Sequence, residues 1–437
     1  MYRAKRPLHS QTGRAVRQSI QSGELSVIDV VDANLTRFEE REPDIQAWTI
    51  VDAERARTRA ATIRPDLPLS GFTFGVKDVI DTRFLPTGYG SPIYKDFLPA
   101  ADAACVRLME DAGAIMLGKT VTCEFATYFP GKTRNPYGLD HTPGGSSSGS
   151  AAAVADGHAT VAFGTQTAGS IIRPASFCGV LGFKPSYGRY AIQGMKPLAL
   201  SLDTLGLFAR GFEDLLAVDG VLADDVQDTE GQLCEDVAVL RLPWDDRMEP
   251  AMRRSFDGAV KRLIASGFTI REISAPAWFS DVEGAQADIM AHEASSYLAT
   301  EASDHWDQIS PKLQALIGHG RHLSPDEIQS ARGVVRRARR WAEQMLTDVG
   351  AFLLPSALGA APKGLEGTGD PVYCRPWTAA GLPTVGFPIG LDENGLPLGA
   401  QLVGPGGGDR ALLRFAEPLA EAAWDDERTL QLYEGDW

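Results

Sequence analysis

The sequence has little with which to build a disulfide framework, a metal site or a membrane anchor. Its five cysteines (Cys105, Cys123, Cys178, Cys234 and Cys374) are odd in number, widely spaced and without a CxxC pair. That pattern fits reduced thiols better than disulfides or zinc ligands, and neither a metal nor a cofactor is implied. No apolar run approaches a membrane span, and the basic N-terminus MYRAKRPLHSQTGRAVRQSI has no apolar core of signal-peptide length behind it. The expected compartment is therefore the cytoplasm, with no membrane partner. Positive charge is also scarce: 42 Lys and Arg against 57 Asp and Glu leave a net charge of -15. The one dense basic group (Arg332, Arg336, Arg337, Arg339, Arg340) lies on a helical pattern beside acidic neighbours. It reads as a solvated helix face, and no nucleic-acid partner is expected.

What is present is an ordinary globular balance, 44% hydrophobic and 23% charged residues over 437 positions, enough for a substantial core. The first sixty residues read as helices; SVIDVVDANLTRFEER carries Val27, Val30, Val31, Leu35 and Phe38 at three- and four-residue spacing. FTFGVKDVI then reads as a strand, DAACVRLMEDAG as a helix capped by Asp102 and ended by Gly113, and AIMLGKT as a strand, an order that implies parallel pairing. SSSGSAAAVADG reads as a short helix stopped by Gly157, followed by the strands ATVAFGT and CGVLGFKPS. Helical sequence over 277–347 interrupts the rhythm before AFLLPS, PTVGFPIG and PLGAQLVGP resume short strands. Strand-like segments on both sides make 277–347 a mainly helical insertion into one α/β domain spanning 1–437.

The chemistry concentrates around TPGGSSSGSAAA, Thr142 to Ala153. A linker would sit between domains, and this stretch sits inside a continuous α/β pattern. It lacks the lysine of a phosphate-binding GxxxxGK[ST] loop and is not GxGxxG. Gly145 to Gly149 matches GxSxG, but RNPYGLDHTP before it is turn sequence, whereas a nucleophile elbow follows a strand. Two companions lie elsewhere. GTQTAGSIIRPASFCGVLGFKP, from Gly164 to Pro185, is a loop of small residues after a strand, carrying Ser170. In GVKDVID, Lys77 is set in an apolar strand, an expensive place for an ammonium unless its pKa is lowered; a neutral lysine can act as a base.

These segments, with EFA (Glu124 to Ala126), RNP (Arg134 to Pro136), GFKPSYGR, SLDTLG (Ser201 to Gly206) and GLPLGAQLVG, resemble the amidase signature family over most of the chain. The resemblance implies a central mixed, twisted sheet covered by helices on both faces. It also implies a catalytic triad of a lysine, a serine held in a cis peptide and a nucleophilic serine. Carried onto this chain, these are Lys77, Ser146 and Ser170, with the two serines 24 positions apart (170 − 146) as the family pattern has them. Lys77 would draw the Ser170 proton through Ser146. The backbone N–H groups of Thr167, Ala168, Gly169 and Ser170 would stabilise the oxyanion, at ~3–4 kcal/mol per well-placed donor. Ser147 and Ser148 read as helix caps, and Cys178 as a small core residue.

The chain also departs from the family's GTDTGGSIR: Gln166 stands for the acid, Ala168 for the first glycine of the pair, and Ile172 for the arginine, which follows at Arg173. Loss of the acid together with displacement of the arginine implies neutral hydrogen bonding in place of the usual ion pair under the nucleophile loop. The function expected is a serine hydrolase cleaving a carboxamide C–N bond of a small molecule. The alternatives are a carbamate (urethane) or ester hydrolase using the same triad, and the amidase subunit of a transamidosome acting on charged transfer RNA. A homodimer is expected. Phe125, Tyr128 and Phe129, with Trp278 and Trp306 of the helical insertion, are expected to line an apolar substrate pocket.

Overall fold

Residues 7–223 and 233–424 are described by the computed structural model. Their strands are β1 (Trp48–Val51), β2 (Thr73–Lys77), β3 (Ile115–Thr120), β4 (Val161–Gln166), β5 (Leu181–Lys184), β6 (Thr204–Ala209), β7 (Val237–Arg241), β8 (Ile270–Ser274), β9 (Ala351–Pro355), β10 (Thr384–Leu391) and β11 (Pro397–Val403). Among the described residues these form one sheet in the order β1-β3-β2-β4-β6-β5-β10-β11-β9-β7-β8. It is mixed: β2 runs parallel to β3 and β4, and β7 parallel to β8 and β9, while the centre from β4 through β6, β5, β10 and β11 is antiparallel.

Every residue of β2, β3, β4, β5, β6, β9 and β11 is buried, which requires cover on both faces. In β3, Ile115 and Leu117 pack with Ala152 and Ala153 and with the N-terminal helix Val27–Ile45, while Met116 packs with Val106 and Met109 of the helix Ala104–Asp111. Neighbouring side chains of a strand point to opposite faces, so helices cover both. The helical stretch between β8 and β9 holds Asp281–Tyr297, Ala299–Asp304, Pro311–His322 and Pro325–Met345. On the last of these Arg332, Arg336, Arg337, Arg339 and Arg340 are exposed, Arg337 lies over the Trp278 ring and Arg339 pairs with Glu343. No helix of the described residues is long and apolar enough to cross a membrane.

Three local expectations need correction. The first sixty residues are not all helical, because Trp48–Val51 forms an edge strand antiparallel to β3. Asp102 does not cap the helix Ala104–Asp111: Ala103 holds that position, and the Asp102 carboxylate instead accepts from Arg83 N and pairs with the Arg83 guanidinium. Ser147 holds the N-cap position of the helix Ser148–Ala155 but makes no side-chain cap hydrogen bond, and Ser148 is the first residue inside it. That helix is buried from Ser148 to Val154, and the serine hydroxyls satisfy carbonyls in or next to the strands: Ser147 Oγ donates to Thr165 O, Ser148 Oγ to Val121 O and Ser150 Oγ to Phe163 O. Gly149 makes that contact possible, since a Cβ there would stand 2.1 Å from Ala47 O and 2.4 Å from Val121 N.

Candidate active site

The C-terminal ends of β2 and β4 and the turn before Ser148 meet at one place. Lys77, the last residue of β2, is fully buried. Its Nζ lies 2.7 Å from Ser146 Oγ, 2.7 Å from Thr165 Oγ1 and 3.5 Å from Thr165 O. Burial pushes its pKa down to about 7, against weaker opposing pulls from Cys123 and Asp203, so amine and ammonium are close in energy at neutral pH. Ser146 follows Gly145 through a cis peptide bond and is itself buried.

Ser170 lies in the loop between β4 and the helix Ile172–Phe177. It is 8% exposed and lines a cleft together with Tyr128, Thr167, Ala168, Arg173 and Thr368. Lys77 and Ser146 are thus in contact, whereas Ser170 Oγ forms no hydrogen bond to either in this structure. Among the described residues no group accepts the backbone N–H of Ala168, Gly169 or Ser170, so three consecutive donors stand free beside that hydroxyl.

Beside Ser170 the loop is held first by the neutral pair Gln166 and Thr378. Gln166 Oε1 accepts from Ile171 N at 2.8 Å and Ile172 N at 3.0 Å, and its Nε2 donates to Thr378 Oγ1 at 2.9 Å. Thr378 Oγ1 in turn donates to Ala168 O. Thr167 is fixed from both ends: its hydroxyl donates to Asp203 Oδ1 at 2.6 Å, and its carbonyl accepts from Gln286 Nε2 at 2.8 Å. Burial raises the Asp203 pKa to about 6. Arg173 is buried and donates through Nη2 to Gly145 O at 2.7 Å and Thr368 Oγ1 at 3.2 Å, tying the Ser170 loop to the turn that carries Ser146.

Of the expected pocket aromatics, the cleft receives Tyr128 alone, alongside Met290 and Leu316 from the helical stretch. Phe125 sits in the turn Glu124–Ala126 at φ 44° and is buried edge-on against Tyr94. Phe129 is 48% exposed; Trp278 packs on Phe279, and Trp306 lies under Arg321 at the surface. Sequence reasoning missed Thr165, Asp203, Gln286, Thr378 and Arg375. Thr165 and Asp203 stand inside quoted motifs, GTQT and SLDT; Gln286 and Thr378 carry no local signal, since their role depends on contacts more than a hundred residues away.

A family model described as Amidase matches residues 29–413. The chain belongs to the amidase family. Among curated relatives, a glutamyl-tRNA(Gln) amidotransferase subunit from Roseiflexus castenholzii is 33% identical, over 94% of this chain and 95% of its own length. The corresponding protein from Thermus thermophilus is also 33% identical, over 93% and 96%. Among solved structures, an amidase superposes with a TM-score of 0.86 at 27% identity, covering 95% of this chain and 100% of its own. A chain from a study of a vestigial protein complex and the origins of an s-triazine catabolic enzyme gives 0.86 and 27%, over 94% and 98%. The single sheet flanked by helices is therefore the amidase signature fold, and the chain is an amidase-signature enzyme of C–N bond chemistry.

Proposed function

We propose that this amidase is a serine hydrolase that cleaves the carboxamide C–N bond of a small molecule through an acyl-enzyme on Ser170. The observation that carries the reading is Lys77 Nζ, buried without a carboxylate and 2.7 Å from Ser146 Oγ. A neutral amine there takes the Ser146 proton as Ser146 takes that of Ser170, and Ser170 Oγ attacks the carbonyl carbon. The free N–H groups of Ala168, Gly169 and Ser170, together with that of Thr167, face the oxygen on which charge develops. The proton returns by the same path to the leaving nitrogen as the C–N bond breaks. Water then attacks the acyl ester, releasing a carboxylic acid and restoring the Ser170 hydroxyl. The open Ser146–Ser170 link suits this account, because catalytic hydrogen bonds commonly tighten only with substrate bound.

Carbamates and esters offer the same carbonyl to the same groups and are the first alternatives to assay. A second reading, favoured by the amidotransferase relatives, is an amidase that works within a multi-protein complex on charged transfer RNA. The test is a panel of alkyl amides, anilides, carbamates and esters, run beside labelling with a serine-directed fluorophosphonate. Turnover and labelling are both expected to vanish in Ser170→Ala; labelling that persists there removes Ser170 as nucleophile. Turnover of glutamine only, together with co-purifying partner proteins, would favour the second reading.

A further inference from the structure

Arg173 is 4% exposed and lines the cleft with Ser170, yet its side chain is only half used. Nη2 holds Gly145 O and Thr368 Oγ1; Nε and Nη1 are buried with no acceptor. Nη1 stands at the nucleophile loop, since a Cβ built on Gly169 would meet it at 3.3 Å. A buried guanidinium ordinarily has a carboxylate, and this fold provides one elsewhere: Arg189 Nε and Nη2 each donate to Asp219 at 2.7 Å. The acid that acts on Arg173 is engaged elsewhere: Asp370 pairs with Arg247 and accepts from Val372 N.

Arg375 deepens the imbalance. It is 9% exposed, donates to Gln286 Oε1 and, at 3.5 Å, to Tyr128 Oη, and leaves Nε without an acceptor. Two buried guanidinium groups thus stand near one cleft, Arg173 in its lining and Arg375 against the lining residue Tyr128, and among the described residues neither has an ion pair. Holding the Gly145 carbonyl explains Nη2 of Arg173 and leaves Nη1 unexplained. We infer that the missing anion comes with the substrate: the amidase acts on amides that carry a carboxylate, and Arg173 is the residue that selects them. Arg173 and Ser170 line the same narrow cleft, which sets a short acyl chain between amide and carboxylate.

This inference rests on the proposed hydrolysis at Ser170 and names its substrate class. The test is a length series of dicarboxylic acid half-amides, each paired with the uncharged amide of the same length. The wild-type enzyme is expected to prefer a short half-amide over its twin in kcat/KM. Arg173→Met is expected to shrink that preference by roughly 10- to 100-fold, the range for a hydrogen bond between charged groups, mainly through KM, and Arg173→Lys to retain part of it. Equal losses for both members of a pair would assign Arg173 a structural role only and overturn the inference, as would a wild-type enzyme with no preference. Should Arg173→Met fail to fold, Ser170→Ala decides by binding: its melting temperature is to rise with the half-amide and not with the uncharged twin, and no difference overturns the inference. Hydrolysis of uncharged amides alone, with Ser170 still labelled, sinks the carboxylate and spares the hydrolase. Absence of both hydrolysis and labelling sinks the hydrolase reading and this inference with it.

Discussion

Two lysines on the neighbouring parallel strands β2 and β3, Lys77 and Lys119, are both fully buried, and their surroundings differ in one respect. Lys119 Nζ forms a 3.2 Å ion pair with Asp78 Oδ1 and donates to Ile80 O and Thr87 Oγ1. Lys77 has hydroxyls and a carbonyl, and no carboxylate. Burial lowers the pKa of both: for Lys119 the Asp78 carboxylate in contact opposes it, whereas for Lys77 only the pulls of Cys123 and Asp203 do, and the value falls to about 7. Depth and a lowered pKa alone therefore do not mark a base: Lys184 is as deeply buried and is also lowered to about 7, but its Nζ donates to Pro185 O, and of the three only Lys77 meets a serine hydroxyl.

Exchanging the two roles by mutation would break that comparison. Lys77→Met keeps length and apolar packing and removes the base, so turnover should fall by orders of magnitude with the circular dichroism spectrum unchanged. Lys77→Arg should fail equally, because a guanidinium stays charged at working pH; near-normal turnover in Lys77→Arg would make Lys77 an electrostatic support only. Lys119→Met should show the opposite profile. It leaves Asp78 buried without its cation, a loss of about 3–5 kcal/mol to be read as a drop in denaturation midpoint, while turnover per folded molecule stays within a few-fold. A large loss of kcat at full stability would overturn the assignment of Lys119 as a strut.

A smaller effect tests the loop rather than the lysines. Gln166 uses both ends, accepting two backbone N–H groups and donating to Thr378 Oγ1. Gln166→Glu keeps the acceptor and loses the donor, placing a carboxylate oxygen against a hydroxyl whose proton is committed to Ala168 O. We expect a loss of about 1–3 kcal/mol, the penalty for leaving a buried polar group unsatisfied, seen as a lower melting temperature and a lower kcat. An unchanged melting temperature would mean that the loop does not depend on the exchange of acid for amide.

The same distinction between local and distant causes explains what could be read in the sequence. FTFGV, AIMLG and VAFGT announce strands because both faces are buried and the apolar run is unbroken. β8, IREIS, lies at the sheet edge with Arg271, Glu272 and Ser274 exposed, and β1 is four residues long, so neither shows a run or a sustained alternation. At the site, Lys77, Ser146 and Ser170 stand within local motifs. The residues that hold them, Gln286 and Thr378, are ordinary helix residues until the fold brings them to Thr167 and Gln166. The pocket aromatics failed for a related reason, since Phe125 and Phe129 lie four residues apart and the backbone turn at Phe125 sends one inward and leaves the other in solvent.

The smallest expected effect bears on how the pKa of Lys77 is set. If the neutral amine is the base, the acylation rate rises with pH through a midpoint near the lysine's pKa of about 7 and levels off above it. Thr165 Oγ1, at 2.7 Å, accepts a hydrogen bond from Nζ in both protonation states. The ammonium has three protons to place against Ser146 Oγ, Thr165 Oγ1 and Thr165 O, whereas the amine has two and keeps its lone pair for the Ser146 hydroxyl. Removing an acceptor therefore penalises the charged form more and lowers the pKa. Thr165→Val should shift the midpoint of the pH–rate profile downward by up to about one unit, worth ~1.4 kcal/mol, with the high-pH plateau within a few-fold of wild type, and Thr165→Ser should leave it in place. An upward shift would mean that the hydroxyl stabilises the amine instead, and a collapse of the plateau to the level of Lys77→Met would place Thr165 itself on the proton's path.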